Sequence, residues 1–271
     1  VIDVAERDFV KAKIAYPEVM QYLTQHVLPN REEAAAKEYR RNTELLAANP
    51  KGKPVTARRD FLDKSWWRHW RRRDDMLTEL ARIDRYIALV RVAAEGRRSI
   101  YQFVDSSVRP DDSLQVFAFD DDYSFGILSS QTHRAWFDER CSKLKVDPRY
   151  TPTTVWDTFP WPASPAPEQV DLIAEISAQI LGLREEYRAE GATLSQQYDT
   201  LRAPGKSAFR DAHTALDSAV IAAYGFDPEE DLLAQLLALN LAAAADPDIA
   251  TAPGCGGRSE AYTTTYRLTA G

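Results

Sequence analysis

The side chains best suited to chemistry are basic and aromatic residues gathered between positions 57 and 101. Twelve lysines and arginines face seven acidic residues in this stretch, and Trp66, Trp67 and Trp70 lie among them. Cationic groups neutralise phosphates, and aromatic rings stack on bases, so the mixture favours contact with a nucleic-acid backbone. A solvated, ion-paired helix face over a few core aromatics would have the same composition. The phosphate candidates are Arg68, Arg71, Arg72, Arg73, Arg97 and Arg98.

Residues that bind metals or act as nucleophiles are not grouped. The four histidines are scattered, and the two cysteines, Cys141 and Cys255, belong to no C-x-x-C pair. The acidic run Asp120 to Asp122 is better explained as a turn, because three adjacent side chains point in different directions. We therefore expect no metal site.

Sequence motifs of the common enzymes are also missing. The chain has no Walker loop, no G-x-S-x-G, no H-E-x-x-H and no dinucleotide fingerprint. Asp147-Pro-Arg-Tyr150 differs from the Asp-Pro-Pro-Tyr motif of amino-methyltransferases, because Arg149 replaces the second proline. No catalytic residue is assigned, and we expect this chain alone not to be catalytic.

Composition and charge limit the class of protein. The chain has 271 residues, 44% of them hydrophobic, and a formal net charge of −7. From position 166 onward there are 16 acidic against 7 basic residues, so the acidity is C-terminal. The longest apolar stretch, Leu232 to Ala245, is too short to cross a bilayer. We expect a folded protein without a membrane partner, in the reducing cytoplasm.

Hydrophobic spacing predicts helices before and after a central β-rich region. The predicted helices cover 17–28, 31–48, 170–183, 208–224 and 228–244, and another begins near Gln131 after a serine cap. Predicted strands cover 86–92, 99–104 and 114–119, in an antiparallel sheet. Residues 150–162 are too rich in proline and β-branched residues for a helix, which predicts an extended strap.

Several segments, in order along the chain, resemble the C-terminal part of large type IIL restriction-modification proteins. In these an N6-adenine DNA methyltransferase is fused to a nuclease and to a target-recognition domain, and related stand-alone methyltransferases share the likeness. The resembling segments include Trp66-Trp67, Asp120-Asp-Asp-Tyr-Ser-Phe-Gly-Ile-Leu-Ser-Ser-Gln-Thr-His133, Arg149-Tyr-Thr-Pro-Thr-Thr154, Thr158-Phe-Pro-Trp-Pro162 and Leu216-Asp-Ser-Ala-Val220.

This resemblance implies an α+β fold: a small antiparallel-sheet target-recognition domain with flanking helices, followed by an all-α region. It divides the chain into a helical connector at 1–56, a target-recognition domain at 57–165, a C-terminal helical domain at 166–245 and a loose tail at 246–271. The methyltransferase domain, with its S-adenosylmethionine, is expected upstream of Val1, so no cofactor is expected in this chain.

The resemblance also suggests base-reading residues. In the family, two polar residues just before the tyrosine of the Arg-Tyr element help to read one base pair, and here they correspond to Lys145 and Asp147. Lysine can donate to guanine and aspartate can accept from cytosine, which suits a G·C pair. A solvated surface pair beside Pro148 is the alternative. Secondary candidates are Gln131, His133 and Arg134, although packing against Trp136 and Phe137 would equally explain His133.

The sequence therefore predicts recognition of double-stranded DNA for an adenine-specific methyltransferase, acting in restriction-modification or phage defence. The methyltransferase domain would be joined in cis or bound in trans. Two alternatives remain: a stand-alone specificity subunit that docks on a methyltransferase, and a non-catalytic interaction remnant. A remnant predicts no salt-dependent DNA binding, whereas the other two predict affinity that falls steeply with salt.

Overall fold

The computed structural model describes residues 4, 7–70, 73–94, 96 and 98–245. These residues form two compact units, the first ending at Asp74 and the second beginning at Asp75. The predicted loose tail, together with Arg71, Arg72 and Arg97, lies outside the described residues. Each unit is described by itself.

The first unit is helical. Its helices are α1 (Phe9–Ala15), α2 (Pro17–His26), α3 (Leu28–Ala48) and α4 (Ala57–Ser65). The predicted break between helices 17–28 and 31–48 is almost absent, because Pro29 lies in the first turn of α3, where a missing backbone N–H costs nothing. As a result only Val27 separates α2 from α3.

A small hydrophobic cluster stabilises this unit. Met20 and Leu23 of α2 pack with Ala12 of α1, and both tryptophans that follow α4 close the cluster. The Trp67 indole donates a hydrogen bond of 3.1 Å to the carbonyl of Arg7. Trp66 and Trp67 are therefore half-buried against this cluster, which reduces the ring surface left for stacking.

The second unit contains all of α5 (Asp74–Leu80) except its first residue. A three-stranded sheet follows, with β1 (Arg85–Val90), β2 (Tyr101–Asp105) and β3 (Leu114–Phe117). Both neighbours pair with β1 in antiparallel orientation, in the order β2-β1-β3. Ile87 of β1 lies opposite Phe103 on one side and Phe117 on the other. The predicted antiparallel sheet is confirmed.

Two short helices and a hairpin follow the sheet: α6 (Asp122–Ser129), α7 (Gln131–Arg140), β4 (Ser142–Leu144) and β5 (Asp147–Arg149). Asp121 caps α6 by accepting a 2.7 Å bond from the backbone N–H of Ser124. Ser130 caps α7 at the same relative position. The acidic run therefore starts a helix, where a turn was predicted.

The predicted extended strap is only partly correct. Residues Pro152–Trp156 form one π-helical turn, closed by a 2.9 Å bond from the N–H of Asp157 to the carbonyl of Pro152. A proline at the start of a turn loses no intrahelical bond, so the proline that argued against a helix instead begins one.

The C-terminal region is helical: α8 (Pro167–Ala189), α9 (Leu194–Asp199), a 3-10 turn (Thr200–Arg202), α10 (Ala208–Tyr224) and α11 (Leu232–Ala245). Gly225 ends α10 with a left-handed backbone, φ 68°, as predicted. Helix α11 begins later than predicted from Pro228. Its cap is Asp231, which accepts a bond from Ala234 N–H, whereas Asp227 closes a turn before it.

One hydrophobic core joins the sheet, α6, α7 and the C-terminal helices. Helices α6 and α8 pack closely where Gly126 of α6 faces Ser177 of α8. A Cβ added at Gly126 would be 2.5 Å from Ser177 Oγ. The predicted boundary at position 165 therefore separates segments that share a core. The α+β class is confirmed, and the described helices include none that is both long and apolar enough to cross a membrane.

Candidate nucleic-acid interface

The hairpin formed by β4 and β5 is the most exposed part of the second unit with regular pairing. No residue from Ser142 to Arg149 is buried. Its tip carries two apolar side chains, Leu144 and Val146, which are 51% and 61% exposed. Lys143, Lys145 and Arg149 are exposed as well, and Asp147 is half-buried. The hairpin thus combines cationic donors, one acceptor and apolar groups on a two-stranded ribbon.

Lys145 lies at the turn with φ 61°, in the left-handed region that non-glycine residues rarely adopt. This backbone costs free energy that a glycine would avoid, and such strain is concentrated at functional sites. In the paired strands Lys143 lies opposite Pro148, and Leu144 lies opposite Asp147. Because neighbouring strand residues face opposite sides, Lys143 and Asp147 are on different faces of the ribbon.

The base of the hairpin is fixed at both ends. Arg149 forms a bridge with Val92, which follows β1, and the N–H of Tyr150 donates a 2.7 Å bond to the carbonyl of Arg91. On the other strand, the hydroxyls of Ser142 and Thr151 are 2.6 Å apart. The hairpin therefore extends from the end of the sheet with a defined direction.

A cluster of aromatic rings includes Tyr150, the residue directly after the hairpin, and we use the name aromatic floor for Tyr101, Phe117, His133, Phe137 and Tyr150. All five are buried. The Tyr150 ring stacks on Phe137 with centroids 5.4 Å apart and meets the edge of Phe117 at 5.5 Å. Because Tyr150 directly follows β5, its burial holds one end of the hairpin in the core.

His133 belongs to this floor and cannot present its ring to a base edge. It has no exposed surface, and its two ring nitrogens lie 2.9 Å from the Tyr101 hydroxyl and 3.2 Å from the Tyr150 hydroxyl. Burial lowers the pKa of His133 to about 3, so the ring is neutral. The structure thus favours the packing explanation of His133 over base reading.

The other two candidates on α7 are nearer the surface. Gln131 is exposed, and its backbone N–H donates a 2.7 Å bond to the carboxylate of Asp217. Arg134 pairs with Asp138 at 2.6 Å, one turn along the helix. Both also line a cavity on the α9 side of the unit. Their role as base readers stays a prediction.

The aromatic residues of the strap are core residues, as the sequence indicated. Trp156, Phe159 and Trp161 are each less than 9% exposed and belong to the main core. Trp136 of α7 is fully buried, and its indole donates to the carbonyl of Val155 at 3.1 Å. None of these rings is available as a stacking platform.

Three of the six phosphate candidates are described. In the first unit, Arg68 donates a 3.1 Å bond to the carbonyl of Arg7, and Arg73 is exposed with a left-handed backbone, φ 57°. In the second unit, Arg98 is half-buried and donates to the carbonyl of Ser129 at 3.0 Å. Arg98 therefore also has a structural role, because this bond joins the segment before β2 to the end of α6.

Sequence reasoning missed the hairpin and with it Lys143 and Arg149. The turn residues Lys145 and Val146 contain no glycine, asparagine or aspartate, which are the usual signals of a two-residue hairpin. The signal available in the sequence was the alternation of uncharged and charged residues across 142–149, which is typical of a strand with one face in solvent. Among the described residues, no group of three or more histidines, cysteines or carboxylates could hold a metal ion.

Comparison with known proteins matches two family models, one after the other. Residues 54–163 match the MmeI target recognition domain, and residues 165–245 match the MmeI C-terminal domain. The curated DNA methyltransferase A of Bacillus subtilis (strain 168) is 35% identical over 120 residues, which are 43% of this chain and 13% of that protein.

A solved structure has the same fold. It is that of the type IIL restriction-modification enzyme MmeI in complex with DNA, with a TM-score of 0.59 and 23% identity. The match covers 78% of this chain and 26% of the MmeI chain, so this chain spans only a minor part of either relative. The two matched models together cover most of the chain, which therefore belongs to the MmeI family and contains its target recognition domain followed by its C-terminal domain.

Proposed function

We propose that this chain recognises a sequence in double-stranded DNA as the specificity part of a type IIL restriction-modification enzyme that protects its host against phage. The observation that carries the proposal is the exposed, strained and cationic hairpin at 142–149 within a matched target recognition domain. A two-stranded ribbon fits the major groove of B-DNA, where the four base pairs present different donors and acceptors.

The hairpin has the chemistry to separate base reading from backbone contact. Lys145 at the tip can donate to guanine O6 or N7, and Asp147 can accept from cytosine N4, each contact being worth about 1–3 kcal/mol of discrimination. Lys143 lies on the face opposite Asp147 and is paired with Pro148, so its positive charge suits contact with a phosphate. This arrangement would select a G·C pair.

The reaction itself is assigned to a methyltransferase domain in the same polypeptide or in a partner, with adenine N6 as target and S-adenosylmethionine as donor. The connection from β3 to α6 does not fit that cofactor. A methyl-donor site is built on a glycine turn between a strand and a helix, and the connection from β3 to α6 is Ala-Phe-Asp-Asp. The contribution of this chain is to hold the duplex in register while a base is rotated out.

The test is selection of bound duplexes from a randomised library by the whole chain, followed by sequencing. We expect enrichment of a sequence containing at least one G·C position that Lys145→Gln or Asp147→Asn relaxes, because each removes one base-edge contact. Binding should also weaken steeply as salt is raised.

Lys143→Gln is the matched control, since it removes the same charge two residues away, from a paired strand position on the face opposite Asp147. It should lower affinity for all duplexes alike and leave the selected sequence unchanged. Failure of the wild-type chain to enrich any sequence would contradict the proposed function. Loss of preference with Lys143→Gln alone would show that the reading residue is misassigned.

A further inference from the structure

A cavity of about 310 Å³ lies in the second unit between α7 and the segment from α9 to the 3-10 turn. Its lining includes side chains from both matched domains. The lining residues with polar side chains are Arg98, Gln131, Arg134, Ser195, Tyr198, Asp199 and Arg202. The lining itself holds three guanidinium groups and one carboxylate, while two carboxylates outside the lining act on the same arginines: Asp138 is paired with Arg134, and Asp217 interacts electrostatically with Arg98. With Arg184 counted, positive charges still outnumber negative ones by one.

Each of the three arginines is positioned by a contact of its own. Arg98 donates to the carbonyl of Ser129, Arg202 donates to the carbonyl of Gly96, and Arg134 is paired with Asp138. Two of these anchors are carbonyl oxygens, which hold a guanidinium without neutralising its charge. Arg98 Nη2 also lies 3.4 Å from His213 Nδ1. A guanidinium has five N–H donors, and the bonds named for Arg98 and Arg202 do not use all of them.

The turn that carries Arg202 is itself fixed. Arg210 of α10 donates hydrogen bonds to four backbone carbonyls of the loop: Thr200 at 3.1 Å, Leu201 at 3.1 Å, Gly205 at 2.7 Å, and Ala203. Arg202 is therefore held on a preorganised turn, which reduces the entropy lost when a ligand is bound.

A further positive charge lies behind the wall of the cavity. Arg184 is 4% exposed, donates to the hydroxyl of Tyr198 and to the carbonyl of Tyr101, and has no carboxylate partner among the described residues. A buried cation without a counter-ion is costly, and it raises the local potential. Burial, and then the charges of Arg98 and Arg184, lower the pKa of neighbouring His213 to about 3, in agreement with a positive local field.

We propose that this cavity, which we call the arginine pocket, binds a phosphate group. Planar guanidinium forks match phosphate oxygens in geometry and charge, and the side chains of Gln131 and Ser195 add neutral donors. The group can come from two sources: a backbone phosphate of bound DNA or a free phosphate compound. The DNA source rests on the proposed function, and it would give the C-terminal domain a direct contact with the duplex.

The test uses the whole chain and Arg202→Gln, with Arg134→Gln as a second variant. The control is Arg188→Gln, which removes one exposed arginine of α8 that is paired with Glu185 and does not line the pocket. Inorganic phosphate is titrated by calorimetry, and binding to duplexes of selected and scrambled sequence is measured by fluorescence anisotropy at several salt concentrations.

We expect Arg202→Gln to weaken phosphate binding at least tenfold, or to weaken duplex binding by about fivefold near physiological salt. In the second case the slope of log affinity against log salt should fall in magnitude by about 0.9, the value for one phosphate contact. A DNA effect supports the backbone source, and a phosphate effect without a DNA effect supports the free source. If both pocket variants behave as Arg188→Gln does, the proposal is overturned.

The two proposals can fail separately. If the wild-type chain binds no duplex, the proposed function fails, while the phosphate titration still decides whether the pocket takes an anion. If the duplex library shows sequence preference but pocket variants change neither readout, the hairpin assignment stands and only the arginine pocket is rejected.

Discussion

The hairpin and the aromatic floor are joined through Tyr150, yet they use polar residues in opposite ways. In the floor, His133 is enclosed between two tyrosine hydroxyls and kept neutral by burial. In the hairpin, Lys145 is exposed on a strained backbone. Polar groups satisfied inside a core stabilise the fold, whereas exposed charges held in a costly conformation are free to bind. Burial rather than residue type separates the two roles.

This comparison predicts that changes in the core alter stability and changes in the hairpin alter binding. The largest effect is expected where the core joins the two matched domains. Gly126→Ala would place a Cβ 2.5 Å from Ser177 Oγ and 2.6 Å from Ile173 Cγ2, so α6 and α8 must separate. We expect the free energy of unfolding in urea to fall by about 1–3 kcal/mol.

Gly182→Ala in α8 is the matched control, because an added Cβ there meets no atom within 4 Å. It should raise the free energy of unfolding by about 0.5–1 kcal/mol, the gain for alanine over glycine in a helix. Equal effects of the two substitutions would mean that the crossing of α6 and α8 is not close-packed in solution.

A second prediction concerns the protonation of the floor. The folded pKa of His133, about 3, is below the unfolded value of about 6.5, so between these values the unfolded chain binds more protons. Stability should therefore fall as the pH is lowered from about 6.5 toward 3. His133→Gln should remove up to about 1.4 kcal/mol per pH unit of this slope.

The measurement is urea unfolding of the wild type and of His133→Gln from pH 8 to pH 4. Above pH 7 an imidazole is neutral in both states, so the two stability curves should run parallel there. Parallel curves at lower pH as well would show that His133 is accessible to protons, and the division between floor and hairpin would lose its basis.

The smallest stability effect is expected at the turn of the hairpin. Lys145→Gly relieves the left-handed backbone and should change the free energy of unfolding by no more than about 1 kcal/mol, in the stabilising direction. The same variant should bind duplex DNA more weakly, because it loses a cationic donor. A variant that is more stable but binds DNA more weakly would show that the strained backbone at Lys145 is retained for binding.

Lys143→Gly provides the contrast, since Lys143 lies in paired strand β4. There glycine gains no relief of strain, and stability should fall by about 0.5–1 kcal/mol. Stabilisation by Lys143→Gly, or destabilisation by Lys145→Gly, would refute the account of the turn. Thermal unfolding and fluorescence anisotropy on the same samples give both readouts.

Much of the fold could be predicted because its signals are local. The stop of α10 at Gly225 follows from the left-handed backbone that glycine allows, and the serine cap of α7 follows from side-chain reach. The signals failed where proline was involved. Pro29 and Pro152 each lie in the first turn of a helix and do not prevent it. Proline disrupts a helix only in the interior, where its missing N–H breaks a hydrogen bond.

The candidate site was harder to predict. Lys145 and Asp147 came from a likeness to a family, and the hairpin that carries them has no glycine or asparagine at its turn. Arg134 and Arg202 are 68 positions apart and nothing in their spacing connects them; the packing of α7 beside the turn after α9 does so. Sites assembled from distant segments leave no periodic pattern.

The sequence by itself determined the long helices and the three-stranded sheet, that the basic residues precede the acidic helices, and which family the chain resembles. Only the tertiary structure decided which polar residues reach solvent. Whether His133 is enclosed or exposed depends on the tyrosines of β2 and of the segment after β5, which are 32 and 17 positions away. Exposure is a property of packing between distant segments, and it sets both the charge state of a side chain and its access to a ligand.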